Sequence, residues 1–365
     1  MKSYSVFLPS YSVGTDCYKE IPFVTKQYGN KAVVIGGKTA MEKSKDAILE
    51  GIKDSNVSIL DFIWYGGNST YENVEMLMEN NLVKEADMVF AVGGGRAVDT
   101  CKVVCDKLNK PIFTFPTVAS NCAACTAISV IYNMDGTFCE YYYIDSPANH
   151  TFINTKIIAE SPDAMFWAGI GDALSKEFEV LLATREEDLF HTTIMGSQLS
   201  RACTDPLIKF GEKALRDCRE NRPSYELQEV ALDIIITTGI VSNMTSGGEE
   251  YYYNSSLAHA FYYGSTVIPR CENHLHGEIV SFGVLCLLTY DKQFEERERI
   301  CKFNKSMGLP ICLEDLDITK DDVLSVVEKA ATVTEWHCTP YEMSKEKFIK
   351  AILECNDYGM RVKYE

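Results

Sequence analysis

The first part of the chain alternates short apolar runs with amphipathic stretches. Lys31-Ala32-Val33-Val34-Ile35 closes on Gly36-Gly37 and reads as a buried strand ending in a turn. Helical spacing follows from about Ala40 to Lys53, then a second strand from Ser58 to Tyr65, then helical spacing again from Tyr71 to Val83. Asp87 to Val92 is a third apolar run that enters Gly93-Gly94-Gly95 directly. Beyond it Val98, Cys101, Val104, Cys105 and Leu108 recur at three- and four-residue spacing, one face of a helix, and Pro111 to Phe115 is a fourth strand. Strands separated by helices predict a mostly parallel, doubly wound sheet.

From Asp163 the pattern changes. Glu226–Val241, Leu257–Val267, Glu278–Phe294, Asp321–Ala331 and Lys345–Leu353 have helical length and period. No stretch there reads as a strand, and Thr319 and Ser344 stand at N-cap positions. The prediction is an α/β domain over residues 1–161 and an all-helical domain over 162–365, with no low-complexity linker. A length of 365 residues fits two domains and supplies ample core without disulfides.

Charge and cysteine usage exclude several classes. The net charge of -17 leaves no basic stripe for nucleic acid. No run approaches the roughly 18 apolar residues of a membrane span. Met1–Phe7 has neither the apolar stretch nor the small-residue cleavage site of an export signal. Fourteen cysteines are scattered through a large chain, so the expectation is a cytoplasmic protein whose thiols mostly pack as small apolar groups.

Three places carry candidate chemistry. Strand, Gly93-Gly94-Gly95-Arg96, helix is a geometry in which backbone N–H groups cradle phosphate, although a plain tight turn fits the same residues. It is neither G-x-G-x-x-G, since Val98 replaces the third glycine, nor a P-loop. Asp99, one turn on, could cap the helix or meet a ligand hydroxyl. Among six histidines, His259 and His276 lie on small or apolar helical stretches, where a single histidine usually packs as core. Taken with Asp172, which reads as a carboxylate at the head of the first long helix, they would form an N,N,O set that zinc accepts with a fourth position open. Cys122 and Cys125 form a C-x-x-C, a redox dithiol by motif and two small loop residues by context.

In combination, Gly93-Gly94-Gly95-Arg96-Ala97-Val98-Asp99-Thr100, Pro116-Thr117-Val118-Ala119-Ser120, Ser129-Val130-Ile131-Tyr132, Ala168-Gly169-Ile170-Gly171-Asp172-Ala173-Leu174, His259-Ala260 and His276-Gly277-Glu278 resemble the glycerol dehydrogenase branch of the iron-containing alcohol dehydrogenase family. The resemblance implies a Rossmann-like N-terminal domain and an all-helical C-terminal domain, the dehydroquinate synthase-like architecture, with the active site between them. It implies Asp172, His259 and His276 as metal ligands, and Gly94, Gly95, Arg96 and Asp99 as the pyrophosphate loop and its flank. Thr117, Ser120, Thr126, Ile128 and Tyr132 match positions lining the nicotinamide cofactor. The resemblance also implies a homo-oligomer acting on a small molecule.

Departures from the family pattern sharpen the expectation. Lys176 stands where iron-binding members carry an extra histidine, which favours Zn2+ over Fe2+. Gly37-Lys38 replaces the acidic residue that holds the adenosine ribose, which opens the cofactor site to NADP as well as NAD. Cys122, beside Asn121, replaces the aspartate that grips a polyol, and this loop looks more like hydroxycarboxylate dehydrogenase members of the branch. The expected reaction is metal-assisted hydride transfer between NAD(P) and a small polyol, secondary alcohol or 2-hydroxy or 2-oxo acid. A dehydroquinate synthase-like lyase and a non-catalytic cofactor-binding relic are the alternatives.

Overall fold

The computed structural model describes residues 5–248, 250–339 and 341–365. The first four residues, part of the segment read for an export signal, lie outside the described residues. Eight strands occur among the described residues, β1 (Tyr11–Val13), β2 (Lys31–Gly36), β3 (Ser58–Trp64), β4 (Met88–Gly93), β5 (Ile112–Pro116), β6 (Ile128–Tyr132), β7 (Phe138–Tyr143) and β8 (His150–Ile153). Six form one sheet in the order β1-β8-β5-β4-β2-β3, every adjacent pair parallel. The expected α/β fold with a parallel sheet is present, with β2 to β5 where the apolar runs predict them. The pattern missed β1, β8 and the antiparallel ribbon β6–β7.

Alternation along the central strands explains the layers. Val33 and Ile35 of β2 and Val89 and Ala91 of β4 face a core shared with Val98, Cys101 and Val104 of the helix Gly95–Leu108. Ala32, Val34, Met88, Phe90 and Val92 point to the opposite face, among Phe113, Phe115 and Phe152. Strands buried on both faces read as continuous apolar runs.

The chain divides into two compact units: the residues up to Phe166 with Lys213–Asn243, and Trp167–Glu212 with Met244–Glu365. A single boundary at residue 161 therefore does not describe the chain, because residues 213–243 join the α/β unit. Hydrogen bonding gives the reason. The Asn243 side chain accepts from Ala127 N at 2.8 Å and donates to Cys125 O at 2.9 Å. The Cys125 thiol donates to Ile235 O at 2.7 Å.

Past Asp163 there is no strand among the described residues, only one isolated bridge, Ser246 to Tyr252. The helix expected over 226–241 is Tyr225–Leu232, a π-helical turn Asp233–Thr237, and Thr238–Thr245. The one expected over 71–83 breaks at Asn80, whose side chain caps the next turn by accepting from Leu82 N. Ser344 caps the helix Lys345–Tyr364 as expected, accepting from Lys347 N. Thr319 is likewise an N-cap, of the short 3-10 turn Lys320–Asp322, and its N and Oγ1 both donate to Asp322. None of the described helices is long and apolar enough to cross a membrane.

Candidate active site

In the α/β unit, β4 ends at Gly93, whose φ of 143° suits glycine alone. Gly94 is the N-cap of the helix Gly95–Leu108. A Cβ on Gly94 would meet Val118 at 3.1 Å, and one on Gly95 would meet the Asn121 side chain at 3.0 Å. The loop is thus closely packed by glycine, with the helix start free to face an anion. A cleft of about 600 Å³ opens beside it, lined by Gly94 and Thr117 together with Thr39, Lys43 and Val118. Thr117 N donates to Gly93 O at 3.3 Å. Gly37 caps the helix Lys38–Gly51 in extended conformation, and the Lys38 ammonium lies 4.7 Å over the Trp64 ring. The Arg96 guanidinium lies 5.3 Å over the Tyr132 ring, which joins two residues carried by the resemblance.

Asp99 is turned inward. It pairs with Lys102 at 2.8 Å and accepts from Val130 N at 3.3 Å, both side chains being buried. Burial raises its carboxyl pKa more than Lys102 lowers it. The Lys102 ammonium also donates to Ala123 O at 3.0 Å, to Thr126 O and Oγ1 at 3.3 Å, and to Ile128 O at 2.5 Å. Asp99, Thr126 and Ile128 therefore meet through one buried lysine that the sequence reading missed. Asn121 accepts from Ala123 N at 3.0 Å, and partly exposed Cys122 stands at the N-cap position of the turn Ala123–Cys125. Ser120 is partly exposed in the same loop. Buried Cys125, committed to Ile235 O, has its thiol pKa pushed well up by burial, which supports the packing reading of the C-x-x-C over the redox one.

In the helical unit, Asp172 lies in the last turn of the helix Asp163–Ala173, not at a helix head. His276 opens the helix His276–Tyr290, and His259 sits in the first turn of Leu257–Ser265. Two glycines bring the elements together. A Cβ on Gly277 would meet Ala168 O at 1.9 Å, and one on Gly171 would meet Gly277 O at 2.4 Å. Backbone contact at this crossing sets the neighbours Asp172 and His276 side by side. Asp172 Oδ1 accepts from His276 Nε2 at 3.1 Å and lies 3.6 Å from His259 Nε2. One donor atom from each of the three falls within 4.8 Å of the others, a grouping that could hold a metal ion. The His276 side chain is 40% exposed and the Asp172 and His259 side chains 16%, so the cluster opens on the His276 side.

The electrostatics suit a cation. Burial pushes the Asp172 carboxyl up, but hydrogen bonds from His259 and His276 outweigh it and hold it far below the usual range. Burial likewise disfavours charged His259, yet the Glu179 charge and the bonds to Asp172 and Glu179 raise it to about 10. Glu179 itself is fully buried, 2.6 Å from His259 Nδ1. Lys176 donates to Asn254 O at 3.0 Å and Oδ1 at 2.5 Å, so one turn beyond Asp172 the helix offers no further ligand. Two imidazoles and a carboxylate are a donor set that zinc accepts. The sequence reading missed Glu179, although it shares a helical face with Asp172 and Lys176 at four- and three-residue steps.

The family model for iron-containing alcohol dehydrogenase matches residues 9–149. Glycerol dehydrogenase of Thermotoga maritima is 32% identical over 305 residues, 81% of each chain. Hydroxycarboxylate dehydrogenase A of Escherichia coli is 30% identical over 302 residues, 81% of this chain and 80% of that one. A probable glycerol dehydrogenase from Sinorhizobium meliloti has a similar structure, with a TM-score of 0.84 at 25% identity over 98% of this chain and 100% of that one. The class so defined is that of metal-containing oxidoreductases using a nicotinamide cofactor and a small-molecule substrate. The chain belongs to the iron-containing alcohol dehydrogenase family.

Proposed function

We propose that this enzyme transfers hydride reversibly between NAD(P) and a small polyol, secondary alcohol or 2-hydroxy or 2-oxo acid, with Zn2+ held by Asp172, His259 and His276. The observation that carries the reading is the convergence of those three donor atoms, with Lys176 turned away to Asn254. A divalent cation held by these three residues would supply Lewis acidity, the chemistry that stabilises negative charge on a substrate oxygen. The chain itself contributes the fixed carboxylate of Asp172, two oriented imidazoles, and the glycine loop that suits a pyrophosphate. Gly94, Gly95 and Arg96 hold that pyrophosphate in this reading, while Thr117, Ser120 and Tyr132 line the cofactor and Asp99, Thr126 and Ile128 support its walls through Lys102.

Two finer choices follow from single residues. Gly37 offers no carboxylate against a ribose 2′-phosphate, and Lys38, with Lys43 in the cleft, supplies positive charge. This supports use of NADP(H) as well as NAD(H). Cys122 is a neutral thiol that grips a polyol poorly and does not repel a carboxylate, which supports an oxo or hydroxy acid beside 1,2-diols.

An absorbance screen at the NAD(P)H band tests the reading, with glycerol, 1,2-diols and 2-oxo and 2-hydroxy acids, both cofactors and added Zn2+. Net cofactor turnover is expected, lost on chelation and restored by Zn2+. Activity that survives chelation overturns the metal assignment, and a response to glycerol with NAD+ alone overturns the arguments from Cys122 and Gly37. Light scattering reads the homo-oligomer that belongs to the same proposal.

A further inference from the structure

The helix Leu257–Ser265 starts without a cap of its own. Ser256 stands at its N-cap position, but its side chain accepts no hydrogen bond from the first turn. The missing acceptor comes from another element. Glu179, on the helix Ser175–Ala183, places Oε1 2.8 Å from Ser256 N and 2.9 Å from His259 N. Its other oxygen, Oε2, lies 2.6 Å from His259 Nδ1. Three residues earlier on the same helix, Lys176 donates to both oxygens of Asn254. The approach to His259 is therefore fixed at two points, and both fasten it to the helix that follows Asp172.

The consequence concerns the imidazole. A buried carboxylate can only accept, so Nδ1 keeps its proton, and once a cation displaces the other ring proton it is Nε2 that offers the lone pair. That is the nitrogen 3.6 Å from Asp172 Oδ1. The backbone bonds prevent the carboxylate from turning away, because leaving would strand two N–H groups at a buried helix start.

We infer that Glu179 is the positioning residue of the metal centre: it fixes His259 in the Nδ1–H form, aims Nε2 at the ion, and so sets the affinity for the metal. The inference rests on the metal reading given above. A glutamine at this position keeps the shape but has one acceptor oxygen for three donors.

The test measures zinc affinity by competition with a chromophoric chelator, in wild type and in Glu179→Gln. Removal of such an outer partner typically weakens binding about 10- to 100-fold, and that loss is expected while circular dichroism stays unchanged. Equal affinities overturn the role of Glu179 and leave the metal reading intact. A wild type that binds no zinc overturns both. Side-chain 15N NMR of the zinc-loaded wild type decides the matter even if the variant fails to fold. A proton on Nδ1 with Nε2 coordinated is expected for His259, and coordination through Nδ1 overturns the inference.

Discussion

At the scale of single residues, the donor cluster owes its geometry to two missing side chains. Gly171 and Gly277 let one helix backbone rest against another, and the obstacle to any Cβ on Gly277 is a carbonyl oxygen at 1.9 Å. A carbonyl in a helix cannot rotate aside as a side-chain tip can. Gly277→Ala is therefore expected to destabilise by about 2 kcal/mol or more, with weakened zinc binding because His276 is the adjacent residue. Urea unfolding and a zinc titration check both parts. His150 makes a second prediction. Its ring nitrogens lie 2.8 and 2.9 Å from the hydroxyls of Ser10 and Ser12, and burial lowers its pKa to about 4. The unfolded chain then binds more protons between pH 4 and 6.5, so stability falls as pH drops through that window and changes no further below it. The full effect is of the order of 3 kcal/mol. His150→Asn should flatten the pH dependence of urea midpoints between pH 4 and 7. Legibility at this scale was uneven. Asp172, His259 and His276 stand in recognisable short motifs, whereas Glu179 stands in an ordinary helical stretch. Only the fold shows that its carboxylate faces a histidine 80 positions away.

Among elements, the loop from Ser120 to Tyr132 is the most instructive. Its carbonyl oxygens converge on Lys102, its Ala127 N–H is taken by Asn243, and its Cys125 thiol is engaged by Ile235 O. A surface loop would leave such groups to water; this one is tied down from two sides. Lys102→Met leaves Asp99 buried without its counter-charge. The expected loss is roughly 3–5 kcal/mol, together with a raised KM for the cofactor. The double variant Asp99→Asn with Lys102→Met should recover part of that loss in a denaturation series. The same loop marks where the apolar pattern ran out. β2, β4 and β5 are apolar runs buried on both faces, which announce themselves. β1 has three residues and β8 four, too short to set a period, and β6–β7 is a two-stranded ribbon outside the main sheet.

For the whole molecule, the change from strand-bearing to helical sequence at residue 163 is real, but it is not the boundary between the units. Much of segment 213–243, Glu226–Val241 above all, has helical period, so periodicity alone assigns it to its helical neighbours. Its side-chain bonds to Cys125 and Ala127 assign it elsewhere. A fragment of residues 1–161 is accordingly expected to show little protection from hydrogen exchange at Ala127 and along residues 120–132. The intact chain should protect those amides, and equal protection in both would show that segment 213–243 is dispensable to the loop.

This division also sets a timetable for synthesis. When Phe166 leaves the ribosome, the carbonyl that receives the Cys125 thiol and the amide of Asn243 have yet to be translated. At about 5–20 residues per second, they follow roughly 4 to 15 s later. Over that interval the nascent first unit lacks the partners that fasten residues 120–132, and it is completed only after residues 167–212 of the second unit have been made.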